Sequence, residues 1–261
     1  MRKKIFICLV FTLLLSPAAL AVERIPTTVA PSEQTVVAPS QAIDNAPALE
    51  AITIVHYKKG FVKPDGNFKR PPTPSVPSCY GFISGTAHLL NAVDLYINAA
   101  GSGTTTTTEQ VYGAVAASVV SWDEQTSAAV FRNLITDITA NFDTYYDGRN
   151  EISFGNYPQE GVIGVTRIWG VFSGKPSSRY LSGFDVLLDT DFSWGDGEMN
   201  PLLMDLQNIL THELGHGVGL GDVYEDACAA VTMYGYSSEG DVLKRTLEPA
   251  DILGLKILYG N

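Results

Sequence analysis

Apolar side chains recur between residues 79 and 261 at the spacings that are typical of helices and strands. Four of them, each about one helical turn from the next, predict a first helix with one buried face: Val111, Val115, Val119 and Trp122. Thr106 and Glu109 have the spacing of a capping box at the start of this helix. We therefore expect the helix to begin in the threonine run and Trp122 to lie in the core.

A second helix and several strands follow in the same stretch. Asn200 and Pro201 are an N-cap and first-turn pair, and the buried face of the helix that they open is Leu203, Leu206 and Leu210. Pro249 begins a short helix that closes the chain. Apolar runs predict four strands, at residues 95–98, 151–155, 162–169 and 184–188. The pattern predicts an α+β domain with a mixed twisted sheet, two long helices and a short C-terminal helix.

Residues 1–21 are predicted to be a secretory signal peptide. Basic residues at positions 2–4 precede an apolar run at 5–15, and a small-residue cleavage signal ends at Ala21. An uncleaved membrane anchor is the alternative, although the apolar run is short for a bilayer. We expect a secreted, extracellular protein with no membrane association after signal cleavage.

Residues 22–78 differ in composition from the domain at 79–261 that follows them. They hold nine of the 14 prolines, which favours an extended segment without a core of its own. Within them, residues 48–61 carry enough apolar side chains to form a strand or a docking peptide. Basic residues follow this stretch. A pro-segment that covers the active site and a simple linker both remain open.

The domain of residues 79–261 carries 23 acidic and 8 basic side chains. This balance speaks against nucleic-acid binding, since no basic stripe is present to replace the counterions of phosphates. We expect a monomer. Calcium binding and a solvated acidic loop are both open for five carboxylates, which lack the spacing of an EF-hand: Asp185, Asp189, Asp191, Asp196 and Glu198.

Residues 212–216 read His-Glu-Leu-Gly-His. On a helix, His212 and His216 project from one face and can hold one zinc ion, with Glu213 beside them as a carboxylate able to deprotonate water. Gly219 stands where the chain must leave the helix and turn. The turn brings Asp222 back as a third ligand, and three ligands with one open position are typical of catalytic zinc.

Met233 follows Asp222 by 11 residues and can form a methionine-containing turn beneath the metal. With these motifs in order, residues 79–261 resemble the metzincin metallopeptidases, and within them the matrixin-like branch. The most specific part is the last fifty residues or so. The resemblance implies a zincin catalytic domain with these roles: His212, His216 and Asp222 as ligands of one zinc, Glu213 as general base and acid, and Met233 as support for the site.

Two features depart from the commonest pattern of this family. Asp222 stands where most members carry histidine, although an aspartate variant is known among metzincins. Gly235 stands where astacin-like relatives carry a tyrosine that approaches the metal. We therefore interpret the flanking Tyr234 and Tyr236 as packing or specificity-pocket residues.

Other ligands are less favoured by the sequence. Glu239 and Glu248 lack the long second helix that a thermolysin-like site needs. His56 follows an apolar run and His88 precedes two leucines. Both histidines are predicted to be ordinary surface or half-buried residues rather than ligands.

Only Cys79 and Cys228 remain after signal cleavage, in a compartment where disulfides persist. We predict a disulfide between them. The alternative is a cysteine switch in which Cys79 caps the zinc, but residues 77–81 lack the arginine and aspartate of that motif.

These observations predict a secreted zinc endopeptidase, which hydrolyses polypeptides with a zinc-bound water that Glu213 deprotonates. Residues 162–169 are the nearest candidate for an edge strand that pairs with extended substrate. A zinc-stabilised adhesion module is the alternative, and it would have no need for Glu213.

Overall fold

The computed structural model describes residues 48–61 and 78–261. Over these residues the chain forms three α-helices: α1 (Thr108–Asp123), α2 (Leu206–Gly217) and α3 (Pro249–Tyr259). The strands are β1 (Glu50–Lys58), β2 (Gly81–Phe82), β3 (Val93–Ile97), β4 (Phe131–Thr136), β5 (Glu151–Gly155), β6 (Val162–Val171), β7 (Tyr180–Asp189), β8 (Trp194–Gly195), β9 (Met204–Asp205), β10 (Leu220–Gly221) and β11 (Tyr236–Ser237). The predicted signal peptide and the rest of residues 22–77 lie outside the described residues.

Seven strands form one mixed sheet, in the order β11-β1-β6-β7-β5-β3-β4. Four neighbouring strands are parallel to one another: β7, β5, β3 and β4. Strand β6 is antiparallel to both of its neighbours, β1 and β7. Helices α1 and α2 pack against each other, and their apolar side chains share one core with the sheet. This arrangement confirms the predicted α+β class. None of the helices in the described part of the chain is long and apolar enough to cross a membrane.

The strand predicted within residues 48–61 is present as β1. It pairs antiparallel with β6 along its whole length, and Ile52 and Ile54 pack against the main core. The prediction that residues 162–169 form an edge strand is wrong, because β6 has β7 on one side and β1 on the other. The apolar content of β6 reflects the burial of side chains on both faces of the strand.

Two helix starts differ from the prediction. The N-cap of α1 is Thr107, one residue later than expected, and its capping box is completed by Gln110. Helix α2 begins after Asp205, whose side chain accepts a hydrogen bond of 2.8 Å from the backbone N–H of Asn208. The segment after Pro201 instead contributes β9, which pairs with β8. Trp122 lies in the core as predicted, and its Nε1 donates to the carbonyl of Thr211.

Cys79 and Cys228 form a disulfide, with 5.3 Å between their Cα atoms. The bond confirms the predicted pairing, so Cys79 is not a cap for zinc. It joins the start of the domain to the turn Asp226–Cys228, which lies between Asp222 and Met233. The disulfide and the pairing of β2 with β10 therefore both anchor the segment that follows α2.

Loss of this disulfide should be costly. The bond closes a loop with a sequence separation of 149. The chain-entropy model then gives a loss of about 5 kcal/mol in the free energy of unfolding for the double variant Cys79→Ala/Cys228→Ala. Chemical denaturation measures it, and a reductant should destabilise the wild type to a similar degree without affecting the variant. A variant as stable as the oxidised wild type would contradict the prediction.

Candidate active site

Helix α2 carries His212, Glu213 and His216, and all three side chains are fully buried. The helix ends at Gly217, and Gly219 has a φ of +107°, which reverses the chain. A Cβ at Gly219 would lie 2.6 Å from the carbonyl oxygen of Ala87, so no other residue fits there. The reversal returns the chain to the histidines as the sequence predicted.

Three candidate ligand atoms converge after this turn. Oδ1 of Asp222 lies 3.2 Å from Nε2 of His212 and 3.4 Å from Nε2 of His216. Each of the three atoms is buried and has no hydrogen-bond partner within the described residues. Buried polar atoms are normally paired, so this convergence fits a divalent cation bound by two imidazoles and a carboxylate.

The hydrogen bonds of the two histidine rings suit metal binding. Nδ1 of His212 lies 2.7 Å from the carbonyl of Thr232, and Nδ1 of His216 lies 2.9 Å from that of Leu220. A carbonyl only accepts, so Nδ1 carries the hydrogen of each neutral ring and Nε2 presents its lone pair. Burial lowers the pKa of His212 to about 4, which keeps the ring neutral. Burial opposes ionisation of Asp222, but the two histidines hold its pKa well below the ordinary value. Burial also opposes the charged form of His216, but the carboxylates of Asp222 and Glu213 raise its pKa.

The carboxylate of Glu213 is held between α2 and β6. Oγ1 of Thr166 donates a hydrogen bond of 2.6 Å to Oε2, and Oε1 is the carboxylate oxygen that this hydroxyl does not bind. A Cβ at Gly164 would lie 2.8 Å from Oε1, so the glycine makes room for the carboxylate. Burial raises the pKa of Glu213 to about 7. A carboxyl group with this pKa can accept and return a proton at neutral pH.

A comparison with protein families identifies the family of the chain. The family model of the matrixins, the M10 peptidases, matches residues 97–260, which is more than half of the chain. The chain belongs to the matrixin family. It therefore has the α+β metzincin fold of this metallopeptidase family, as the sequence analysis predicted.

Comparisons with individual proteins give only distant likenesses. No curated protein matches the chain significantly. Among solved structures, the crystal structure of metalloproteinase-II from Bacteroides fragilis is similar over 67% of this chain and 55% of that one, with 11% identity and a TM-score of 0.35. This matrixin thus spans about half the length of that protein.

Met233 lies in a turn directly below α2. Its backbone N–H donates to Oδ1 of Asp251, and the N–H of Thr232 donates to Oδ2 of the same carboxylate, so α3 holds the turn in place. The Met233 side chain is fully buried against Gly215 in the middle of α2. The turn also provides the Thr232 carbonyl that orients His212.

His56 is the largest departure from the sequence analysis. The side chain is fully buried, not exposed or half-buried as predicted, and its Nδ1 lies 3.2 Å from Oε1 of Glu213. Its ring stacks on that of His212, with 3.9 Å between the centroids. His88 is half-buried, as predicted, and its ring nitrogen lies 2.8 Å from the Thr86 carbonyl.

Sequence reasoning also missed two polar side chains beside the site. The hydroxyl of Tyr224 donates a 2.7 Å hydrogen bond to Oδ2 of Asp222 and so orients the third candidate ligand. Lys244 is buried, and its Nζ donates to the carbonyl of Tyr236 at 2.8 Å. The Tyr234 and Tyr236 rings pack edge to face, 5.8 Å apart. Of these side chains, only Tyr224 is close in sequence to a predicted ligand, since it follows Asp222 by two residues.

The carboxylates that the sequence suggested for calcium do not form one cluster. Asp196 pairs with Arg245, whereas Asp185 lies with Asp143 and Glu151, at distances within 4.8 Å. Burial raises the pKa of Asp185 to about 8. The five suggested carboxylates therefore do not come together as one calcium site.

Zinc retention tests the proposed ligand set. Asp222→Ala should lose most of its zinc on dialysis, because two neutral imidazoles remain to hold the ion. Asp191→Ala removes an exposed carboxylate outside the site and should keep one equivalent. Metal analysis of the two dialysed proteins makes the comparison, and full retention by Asp222→Ala would place the third ligand elsewhere.

Gly215→Ala tests the contact between α2 and the Met233 turn. The added methyl group would overlap Sδ of Met233 and lie 2.8 Å from the Trp122 ring, so we expect a loss of about 1–3 kcal/mol in stability from overpacking. Gly113 on α1 has nothing within 4 Å of an added Cβ. Gly113→Ala should therefore be stabilising, by about 0.5–1 kcal/mol. Denaturation midpoints that shift equally would contradict this packing.

Proposed function

We propose that this matrixin is a secreted endopeptidase in which His212, His216 and Asp222 hold zinc and Glu213 is the general base and acid. The family assignment supports the peptidase activity. The position of the buried Glu213 carboxylate carries the residue roles. It lies within 4.8 Å of a ring nitrogen of His212, whose Nε2 has no hydrogen-bond partner within the described residues.

Each oxygen of Glu213 has a separate part in the proposed reaction. Zinc, when bound, supplies a Lewis acid that polarises the scissile carbonyl and makes water more acidic. The hydrogen bond from Thr166 fixes Oε2 and so orients the carboxylate. Oε1 then takes a proton from the attacking water. The same group returns this proton to the leaving amine nitrogen as the C–N bond breaks.

The ligand orientation supports this assignment. Carbonyls hold both histidines through Nδ1, and Tyr224 holds the second oxygen of Asp222. Such hydrogen bonds fix the direction of each lone pair and raise the affinity of the ligand for metal. Secretion is supported by the predicted signal peptide and by the disulfide, since disulfides persist in oxidising compartments.

Glu213→Ala should separate catalysis from metal binding. The variant should keep one equivalent of zinc, and its turnover should fall by about 10²–10⁴-fold, because the proton acceptor is lost. Glu124→Ala, an exposed glutamate at the end of α1, is the control and should match the wild type. A library of quenched fluorescent peptides measures turnover. Comparable rates for Glu213→Ala and wild type would refute the proposed role.

A further inference from the structure

Strand β1 lies where an extended substrate has to bind. Gly164 of β6 borders Glu213, since a Cβ at this glycine would come within 2.8 Å of Oε1. A peptide whose carbonyl is to reach Glu213 must therefore run along the edge of β6 beside Gly164. β1 occupies this edge, with His56 directly opposite Gly164.

The other edge of β1 is paired as well. Tyr57 and Lys58 pair in parallel with Tyr236 and Ser237 of β11, the strand that follows the Met233 turn. The ammonium group of Lys58 also forms an ion pair of 2.6 Å with Glu239. At the level of the active site, the backbone of β1 is thus held on both sides, in the manner of a peptide bound by strand addition.

His56 fills the space beside the proposed catalytic oxygen. Its Nδ1 contacts Oε1, the Glu213 oxygen that Thr166 leaves available. The ring also stacks on that of His212, and its Nε2 lies 3.4 Å from the ammonium group of Lys244. These contacts hold the ring on its other sides. The ring and a reacting water cannot occupy this position together.

We propose that β1 is an intramolecular inhibitor, which binds the peptidase cleft in place of substrate and blocks Glu213 with His56. The inference rests on the proposed function, because a strand in this position inhibits only if Glu213 performs catalysis. It also decides between the two readings of the segment before the domain: residues 50–58 act as part of a pro-segment, not of a spacer.

Two substitutions in the full chain test the inhibition. Ile54→Pro removes a backbone donor from the middle of β1, whereas His56→Ala removes the ring and leaves the backbone pairing in place. At equal zinc content, turnover of the peptide library should rise by about tenfold or more in Ile54→Pro, because proline fixes φ and lacks the backbone N–H at a residue that pairs with β6. His56→Ala should give a smaller rise. Ile54→Val and His88→Ala are the matched controls and should stay at the wild-type rate.

A synthetic peptide of residues 48–61 supplies a readout that does not depend on turnover. A fluorescently labelled copy should bind the Ile54→Pro protein, as measured by anisotropy, and the unlabelled peptide should restore its inhibition. The same peptide with His56→Ala should bind and inhibit more weakly. If Ile54→Pro fails to fold, His56→Ala in the full chain decides the role of the ring.

The outcomes separate this inference from the proposed function. Equal turnover by the wild type and both β1 variants, abolished in each by Glu213→Ala, would overturn the inhibition and leave the peptidase assignment intact. An absence of turnover in every folded, zinc-loaded variant would overturn the proposed function and the inhibition with it. An unchanged rate for His56→Ala would overturn the role of the histidine.

Discussion

His212, His216 and Asp222 direct three buried polar atoms at one point, and the elements around α2 are arranged to keep them there. Each of these side chains presents a buried atom without a partner in the described residues, and each such atom costs roughly 1–3 kcal/mol if it stays unpaired. The surrounding elements hold the atoms together against this cost. The disulfide and the β2–β10 pair anchor the segment with Asp222, while Asp251 of α3 anchors the turn that orients His212.

Close packing around α2 transmits this constraint to the sheet. Gly215 lets the Met233 turn approach α2 from one side, and Gly164 lets β6 approach Glu213 from the other. Thr166, two residues after Gly164 on the same face of β6, fixes the carboxylate by a hydrogen bond. The sheet and the helix are therefore parts of one site, because neither can shift without moving Glu213.

The sequence predicted those features that depend on local spacing. The histidine pair, Glu213, the glycine turn and the later methionine lie within about two dozen residues, and the helical periodicities needed no tertiary information. Pairings between distant segments could not be read in this way. His56 and Glu213 are 157 positions apart, and the position of β6 within the sheet depends on the pairing with β1. The local N-cap signal at Asn200 failed because residues 204–205, which follow it, pair with β8 as β9, and the helix begins only after Asp205.

The covalent connection between β1 and its cleft has a kinetic and thermodynamic consequence. A strand that belongs to the same chain competes with free peptides at an effective concentration, which is set by the covalent connection and not by the amount of protein in solution. A substrate with equal intrinsic affinity would need a similar concentration to displace it. Cutting the chain after Lys58 would turn β1 into an ordinary dilute ligand, so one hydrolysed bond could change the occupancy of the cleft without altering any contact in it.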